Sequence, residues 1–276
     1  MVPLNAPDPV TAADVRACMR GEVYGEAEGM TDAWFADHVA RNDIDLVRSP
    51  RWTVDGALAA FALLGFRGDR VWIGGFGVVP GTRGHGMGGV CVADVLRIAR
   101  EEGASSVELE VLENNAAALR LYTRAGFEQI DQLIVWRREP RSAPRGDADG
   151  TVSAAPRDVA GVTALARSPA TCWQREPRSV AAAAPFTTLT IGDGAKPSAY
   201  AFVRVGGPRG DAILDAGAGD EESAEALFTL LDAQFAAHDI TLLNEPESGP
   251  LHEALMCSQI FWDQIGHQQR MRIALR

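Results

Sequence analysis

The chain has 276 residues, of which 46% are hydrophobic and 23% are charged, and its net charge at pH 7 is −11. This length suits one large domain or two ordinary ones, and the composition is that of a globular protein rather than a disordered one. The acidic balance argues against nucleic-acid and anionic-membrane partners, because both favour a basic surface.

We do not expect the first residues to be a signal peptide. Residues 1–9 have neither the basic nor the apolar part of a signal peptide, and no run approaches the ~18 apolar residues of a membrane span. We therefore expect a cytoplasmic protein. Its cysteines are scattered singly, without a Cys-x-x-Cys pair, so we expect neither a metal site nor a disulfide framework.

The first predicted elements are two helices, which Thr11 and Thr31 are placed to cap. The stretch between them carries Glu22, Glu26 and Glu28 and is broken by glycines. Its composition is typical of a solvated loop.

Three strands are expected next, at about 45–54, 57–67 and 71–79, joined by turns into an antiparallel meander. The third strand contains the pair Gly74-Gly75. Glycine inside a strand weakens pairing, and it marks either a bulge or the close approach of a neighbouring group.

The third strand leads into a glycine-rich segment, Val78-Val79-Pro80-Gly81-Thr82-Arg83-Gly84-His85-Gly86-Met87-Gly88-Gly89, and a helical pattern follows at once. This order brings free backbone amides, the positive end of a helix dipole and Arg83 to one point. The pattern predicts a site for a phosphate-bearing ligand. It is not a P-loop, since Met87 and Gly88 stand where a P-loop has Lys and Ser or Thr, and it lacks the acidic residue of a dinucleotide fingerprint.

The next strand, at about 106–111, is expected to be central and parallel, yet it carries Glu108 and Glu110 on one face. Either that face opens on a solvated cleft, or at least one of the two carboxylates takes part in chemistry.

A helix follows, capped by Asn114 or Asn115 and ended by Gly126. Its apolar face includes Tyr122, which should therefore point inward. A strand over 127–137 should complete this half of the chain.

Three motifs in this order resemble the GCN5-related N-acetyltransferase (GNAT) family: Arg-x-x-Gly-x-Gly at 83–88, Leu-Glu-Val-Leu-Glu-Asn-Asn at 109–115, and Asn-x-x-Ala-x-x-Leu-Tyr-x-x-x-Gly-Phe at 115–127. The resemblance covers about residues 50–138. It implies an α/β (α+β) fold, with a mixed, mostly antiparallel sheet, a central parallel strand pair and flanking helices. The glycine pair would be the bulge that separates the two parallel strands and opens a slot between them.

The resemblance also implies the reaction, which is acetyl transfer from acetyl-CoA to an amine without a metal. Val78 and Val79 would orient the pantetheine arm, Asn115 would bond near it, and Tyr122 would protonate the departing thiolate. The residues implied at the pyrophosphate are Arg83, Gly84, His85, Gly86, Met87, Gly88 and Gly89.

The general base is open at this point. An ammonium must lose a proton before it attacks, so a carboxylate of raised pKa or a water relay is required. Glu110 is the first candidate, because its place matches the base of ribosomal-protein N-terminal acetyltransferases. Glu108 and the Glu22 to Glu28 loop, which in the family borders the acceptor site, are the alternatives.

The second half repeats the first in outline. Residues 1–138 are predicted as the catalytic GNAT domain, 139–150 as a Pro- and Gly-rich linker, and 151–276 as a degenerate GNAT-like domain. Where a second phosphate loop would lie, residues 216–223 carry three acids and no arginine. We therefore expect this half to complete the fold or the acceptor pocket without catalysis of its own.

Three functions are compatible with the sequence. The first is an N-acetyltransferase for a small-molecule amine, because a second domain would enclose the acceptor. The second is a peptide or protein acetyltransferase, and the third is a non-catalytic acyl-CoA-binding regulator. The tandem arrangement is also similar to that of mycothiol synthase, although no acceptor-specific residue can be quoted for it. We expect a monomer or a homodimer.

Overall fold

The computed structural model describes residues 10–18, 31–142, 150–153, 159–165, 172–193, 196–208, 210–257 and 262–275. The chain forms two compact units. The first comprises Met1–Asp131 and Gln269–Arg276, and the second comprises Gln132–Gln268. The second unit thus begins before residue 138, and the end of the chain belongs to the first unit, whereas the ranges 1–138 and 151–276 stay a prediction for the functional domains.

The first unit has a mixed sheet with helices. The elements, in chain order, are α1 (Ala12–Cys18), α2 (Asp32–Arg41), β1 (Arg51–Val54), β2 (Ala57–Arg67), β3 (Arg70–Val78), α3 (Met87–Glu101), β4 (Ser106–Leu112), α4 (Ala116–Arg124), the start of β5 (Glu128–Arg138) and the end of β11 (Asp263–Ala274). The strands lie in the order β1-β2-β3-β4-β11, where β1 to β3 are antiparallel neighbours and β3 and β4 are parallel.

The predicted first strand, at about 45–54, is too long. Only Arg51–Val54 forms β1, because the preceding residues make a turn around Asp45. The Asp45 carboxylate accepts the amides of Val47 at 2.9 Å and Arg48 at 3.0 Å. Such a side-chain to backbone bond competes with a strand ladder.

A β-bulge interrupts β3 at the predicted glycine pair. Leu63 of β2 lies opposite Gly75 and Leu64 lies opposite Ile73, so Gly74 is the extra residue. The parallel pairing of β3 with β4 runs from Arg70 to Ile73, whereas β3 itself continues to Val78. The two strands therefore separate after the bulge, as the resemblance implied.

The glycines of β3 also make room for neighbouring side chains. A Cβ atom on Gly74 would lie 2.3 Å from the Trp72 ring, and one on Gly77 would lie 2.6 Å from the Phe61 ring. The bulge and the close packing are thus both present. His38 of α2 adds a further contact here, because its Nε2 donates to the Gly74 carbonyl at 2.9 Å.

The helix that follows the glycine-rich loop and the helix that follows Asn114-Asn115 form as predicted. α3 buries its apolar face and is followed by Gly103, which has a φ of +75°. α4 is capped by Asn115 rather than Asn114, since the Asn115 side chain accepts the Ala118 amide at 3.1 Å. The buried residues on these helices are Met87, Cys91, Val92, Val95, Leu96, Ala99 and Tyr122.

The second unit repeats this plan, with strands in the order β5-β10-β9-β8-β7-β6 and a parallel pair formed by β9 and β10. The sequence did not indicate β6, α6 or a 3₁₀ turn at Trp173–Arg175. The elements are β6 (Thr151–Ser153), α5 (Val159–Leu165), α6 (Pro177–Ala182), β7 (Thr187–Asp193), β8 (Lys196–Gly207), β9 (Gly210–Ala218), α7 (Glu221–Phe235), β10 (Ile240–Pro246) and α8 (Pro250–Cys257).

Most of the predicted linker, residues 143–149, lies outside the described residues. Of the helices in the described ranges, none combines the length and the apolar character that crossing a bilayer requires.

Candidate active site

The glycine-rich loop forms the start of α3. A 3₁₀ turn over Pro80–Thr82 leads out of β3, and both Gly84 and Gly86 adopt a φ of +81°. A side chain at either position would be strained, because this left-handed region favours glycine. The chain can therefore turn sharply here and expose its backbone.

The first turn of α3 has no side-chain cap. Gly86 is the N-cap residue; its carbonyl accepts the amides of Gly89 and Val90, but it has no side chain to accept those of the first turn. Within the described part of the chain, the amides of residues 84–88 donate no hydrogen bond. Unsatisfied amides together with the positive end of the helix dipole favour an anion at this place.

Arg83 is held by backbone carbonyls. Its Nε donates to Val78 at 2.9 Å and its Nη2 donates to Cys18 at 3.2 Å. The side chain thereby ties the loop to β3 and to α1. Its predicted contact with a pyrophosphate stays a prediction.

The two valines before the loop differ in what their backbone groups contact. The Val79 amide donates to Ala59 of β2 at 2.8 Å, and the Val79 carbonyl accepts the Thr82 amide at 2.9 Å. Because ladder groups alternate along a strand, those of Val78 and Phe76 point away from β2, toward the side where β3 and β4 separate. Val78 and Phe76 therefore direct backbone groups to that side, where the Val78 carbonyl accepts the Arg83 Nε at 2.9 Å. The role of Val78 and Val79 in orienting a pantetheine arm stays a prediction.

The other loop residues divide into exposed and packed ones. His85 and Gly89 are exposed, whereas the Met87 side chain lies in the core of the first unit. A Cβ atom on Gly88 would lie 3.1 Å from Leu121 of α4, so this glycine lets the two helices approach. Met87 can contribute only its backbone to a ligand site.

Tyr122 points inward, as predicted, and is 5% exposed. Its ring makes edge contacts with Phe76 and Phe127, at centroid distances of 6.3 and 5.6 Å. Burial raises the pKa of the phenol above its usual value, so the hydroxyl keeps its proton at neutral pH. Among the described residues this hydroxyl has no hydrogen-bond partner. The phenol thus lies beside the separated part of β3 and is available as a proton donor.

Glu110 is half-buried and asymmetrically bonded. Its Oε2 accepts the indole Nε1–H of Trp72 at 2.8 Å, while its Oε1 is buried without a partner. Burial raises its pKa to about 7, against the lowering effects of the Trp72 bond and the Arg270 charge, and the like charge of Glu108 adds to the rise. A carboxylate of this pKa can take a proton at neutral pH.

Glu108 is in a different environment, although it shares a face of β4 with Glu110. Its side chain is buried and accepts hydrogen bonds from Arg270 at 2.8 Å and from Arg272 at 3.3 Å. These ion pairs account for a carboxylate inside the sheet. Glu108 is therefore a weaker candidate for the base than Glu110.

Asn115 has a structural task as the N-cap of α4, because its Oδ1 accepts the Ala118 amide. Its predicted bond near the pantetheine stays a prediction. The other alternative base, the loop with Glu22, Glu26 and Glu28, lies outside the described residues.

Four residues of this site were not predicted from the sequence. Phe76 and Trp72 lie on β3, where their positions relative to the bulge offered a signal. Arg270 and Arg272 lie about 160 residues from Glu108, and nothing local to either segment could indicate the pairing. Part of the site is thus supplied by the last strand of the chain.

The corresponding loop of the second unit has a different chemistry. Asp220 caps α7, with its carboxylate accepting the Ser223 amide at 2.7 Å, and Glu221 and Glu222 occupy the first turn. The backbone and side-chain bonds of Ser223 lower the pKa of Asp220. A fixed negative charge therefore occupies the place where the first unit leaves free amides.

The parallel strands of the second unit are also bridged where those of the first unit separate. The pairing of β9 with β10 extends to Ile213 and Leu242. Beyond it, the buried Arg175 guanidinium donates to the carbonyl of Ala216 on β9 at 2.8 Å and to that of Asn244 on β10 at 3.0 Å. The same guanidinium bonds the carboxylates of Asp215 and Glu245, at 2.8 and 2.6 Å.

Within the described ranges, His, Cys, Asp and Glu side chains form no group of three or more that could hold a metal ion.

Residues 15–127 match the acetyltransferase (GNAT) family model. Streptothricin acetyltransferase of Streptomyces lavendulae is 41% identical over 75 residues, which are 26% of this chain and 40% of that protein. Mycothiol acetyltransferase of Parafrankia sp. is 42% identical over 65 residues, which are 24% of this chain and 20% of that protein. The matched stretch spans less than half the length of these relatives.

Solved structures resemble the whole chain. The GCN5-related N-acetyltransferase from Sphaerobacter thermophilus has a TM-score of 0.67 at 16% identity, over 100% of this chain and 98% of that one. A tandem GNAT protein from the clavulanic acid biosynthesis pathway has a TM-score of 0.64 at 12% identity, over 96% of this chain and 97% of that one. At such identities the similarity establishes the fold, and it confirms the predicted tandem GNAT fold.

Proposed function

Because residues 15–127 belong to the acetyltransferase (GNAT) family, we propose that this protein transfers an acetyl group from acetyl-CoA to a primary amine of a small molecule. The observation that carries the proposal is the course of β3, which leaves β4 after Ile73 and leads through the glycine-rich loop to the start of α3, which has no side-chain cap. A slot between strands thus leads to a cluster of free amides. This arrangement suits a long ligand with a phosphate group, such as CoA.

Bound acetyl-CoA would supply an activated acetyl group on its sulfur. The amides of residues 84–88 would hold the pyrophosphate, with Arg83 fixing the shape of the loop through the Val78 carbonyl. Val78 and Phe76 would bond the pantetheine arm along the separated part of β3. These contacts position the acetyl group near Tyr122.

The proton transfers fall to two groups of this chain. The ammonium loses one proton to Glu110, directly or through a water, and the neutral amine then bonds to the acetyl carbon. As the carbon–sulfur bond breaks, the nitrogen loses its second proton to solvent, and Tyr122 donates its proton to the sulfur and regains one from solvent. An ammonium and acetyl-CoA thus give an acetamide, the free CoA thiol and one proton, which Glu110 passes to solvent.

The choice of a small-molecule acceptor rests on the relatives. Streptothricin acetyltransferase and mycothiol acetyltransferase are named for small molecules. A cytoplasmic location and a monomeric or homodimeric state are parts of the same proposal.

Acyl-CoA binding is assigned to the first unit alone. The second unit caps the start of α7 with Asp220 and bridges its parallel strands with Arg175. The negative charge of Asp220 would repel a pyrophosphate. The Arg175 guanidinium already bonds the strand carbonyls that a pantetheine arm would need. The role of the second unit is then to complete the fold or the acceptor site.

The test is a screen of amines, including aminoglycoside-like compounds, amino sugars and short peptides, for acetyl-CoA-dependent release of CoA thiol. We expect acetylation of at least one small amine, and a loss of ~10²-fold or more in turnover for Tyr122→Phe with acetyl-CoA affinity unchanged. Acetylation of peptides alone would replace the small-molecule acceptor with a peptide. Binding of acetyl-CoA without turnover of any amine would indicate a regulatory protein.

A further inference from the structure

The end of the chain supplies charged groups to β4. In the first unit, residues 269–274 form the end of β11, the neighbour of β4 in the strand order. Met271 packs in the core, and Leu275 donates its amide to the Ser105 carbonyl at 2.7 Å. Because side chains alternate along a strand, Arg270 and Arg272 share the face opposite to Met271. The strand therefore presents two arginines on one face.

Both arginines reach Glu108, but to different extents. Arg270 is largely buried and donates from Nη2 to the Glu108 carboxylate at 2.8 Å. The Arg272 side chain is 44% exposed, and its bond to Glu108 is longer, at 3.3 Å. The buried pair is the stronger of the two, because solvent screens the exposed one.

Glu110 lies two residues from Glu108 on the same face of β4. Three strands contribute a group that acts on it: Trp72 from β3 bonds its Oε2, Glu108 from β4 repels its charge, and Arg270 from β11 attracts it. Next to Trp72, α2 contributes His38, with 5.8 Å between the ring centroids. Burial is the main cause of the raised pKa of Glu110, and Arg270 and Glu108 act on that pKa in opposite directions.

We propose that Arg270 is a positioning residue of the active centre, which neutralises Glu108 and so leaves Glu110 as the carboxylate on this face that takes a proton. The inference rests on the proposed function only where it treats Glu110 as the base. Without the arginine, two carboxylates on one face of a strand would compete for protons, and the ionised form of Glu110 would be disfavoured. The last strand of the chain would then complete the chemistry of the first unit.

The experiment measures the titration of Glu110 in the full-length protein by NMR of carbon-13-labelled glutamate side chains, with the signal assigned by its loss in Glu110→Gln. We expect Arg270→Met to raise the titration midpoint by about one pH unit or more, and Glu108→Gln to lower it by a similar amount. The double variant Glu108→Gln/Arg270→Met, which removes both charges together, should titrate close to the wild type. Arg270→Lys keeps the charge and should also stay close to it.

Arg272→Met is the matched control. Arg272 lies on the same strand as Arg270 and pairs with the same carboxylate, that of Glu108, but its side chain is exposed. Arg272→Met should change the midpoint much less than Arg270→Met. The inference is overturned if Arg270→Met and Arg272→Met titrate alike, or if the double variant titrates like Arg270→Met.

The kinetics separate this inference from the proposed function. In any acetylation assay, the acidic limb of the kcat/KM profile should move with the NMR midpoint from variant to variant, while acetyl-CoA affinity stays constant. If the NMR midpoints of Glu110 shift but the acidic limb of the kcat/KM profile does not, Arg270 is coupled to Glu110, and Glu110 is not the base.

Discussion

Glu108 and Glu110 are chemically identical and two residues apart, yet their surroundings give them different properties. Glu108 is ion-paired with two arginines. Glu110 has one indole N–H, and burial raises its pKa to about 7. An ion pair holds a carboxylate in place, whereas an unpartnered oxygen can receive a proton.

This environment gives a pH-dependent prediction. Since a base must be ionised, and the pKa of Glu110 is raised to about 7, kcat/KM should rise with pH through neutrality and level off above it. Glu110→Gln should lower turnover by ~10²-fold or more and remove the acidic limb. Glu113→Gln, at an exposed position shortly after Glu110, is the control and should keep both the turnover and the acidic limb of the wild type. An unchanged acidic limb in Glu110→Gln would assign the base to another group.

For single residues, the sequence predicted those features that depend on residues nearby in the chain. The inward direction of Tyr122 followed from helical spacing, and Asn115 was one of two adjacent caps. The bond between Trp72 and Glu110 and the pairing of Arg270 with Glu108 join distant segments. No local pattern in either segment carries that information.

Among the elements, the start of α3 owes its geometry to β3 and to the glycine-rich loop. The bulge at Gly74 ends the pairing with β4, and the loop turns the chain so that the start of α3 has free amides. The positive φ at Gly86 is what permits this turn. The geometry of the loop therefore depends on particular glycines.

Gly86→Ala tests that dependence. The left-handed conformation at Gly86 should cost alanine about 1–2 kcal/mol of stability, and the distorted loop should bind acetyl-CoA at least several-fold more weakly. Gly81→Ala is the matched control, because Gly81 lies in the same loop, has no neighbour within 4 Å of an added Cβ atom and needs no positive φ. Equal stability and equal affinity of the two variants, measured by thermal unfolding and calorimetry, would mean that the turn tolerates any residue.

A second element test concerns α4. Asn115→Ala removes the acceptor for the Ala118 amide and should destabilise the protein by about 1 kcal/mol, as loss of an N-cap does. Thermal unfolding measures this loss, and Asn115→Asp should restore stability. If affinity for acetyl-CoA falls in both Asn115→Ala and Asn115→Asp, the side chain also contacts the ligand. Full stability in Asn115→Ala would show that the cap is dispensable.

Elements with a strong pattern were predicted closely, β2 at 57–67 and α3 ending before Gly103 among them. The strand at about 45–54 was overextended because Val47 was counted together with Trp52 and Val54, although the Asp45 side chain draws the backbone at Val47 into a turn. The short α6 lies in a segment with two prolines and no clear period, so the sequence offered little to predict it.

At the scale of the whole molecule, the two units share a plan and differ in the details that a CoA ligand requires. The repeated order of elements was visible in the sequence, as was the acidic loop at 216–223. The bridging of β9 and β10 by Arg175 was not, because Arg175 lies about 40 residues before one strand and about 70 before the other. The division into compact units within β5 and β11 likewise depends on contacts between distant segments.

The proposed function requires that one chain binds one acyl-CoA, at the first unit. Calorimetric titration of the purified protein with acetyl-CoA tests it most directly, and we expect a stoichiometry of one site per chain. That binding should weaken in Gly86→Ala and stay unchanged in Asp220→Ala, which alters the loop of the second unit. Two sites per chain would contradict the assignment of the second unit as silent, and no binding would contradict the proposed function itself.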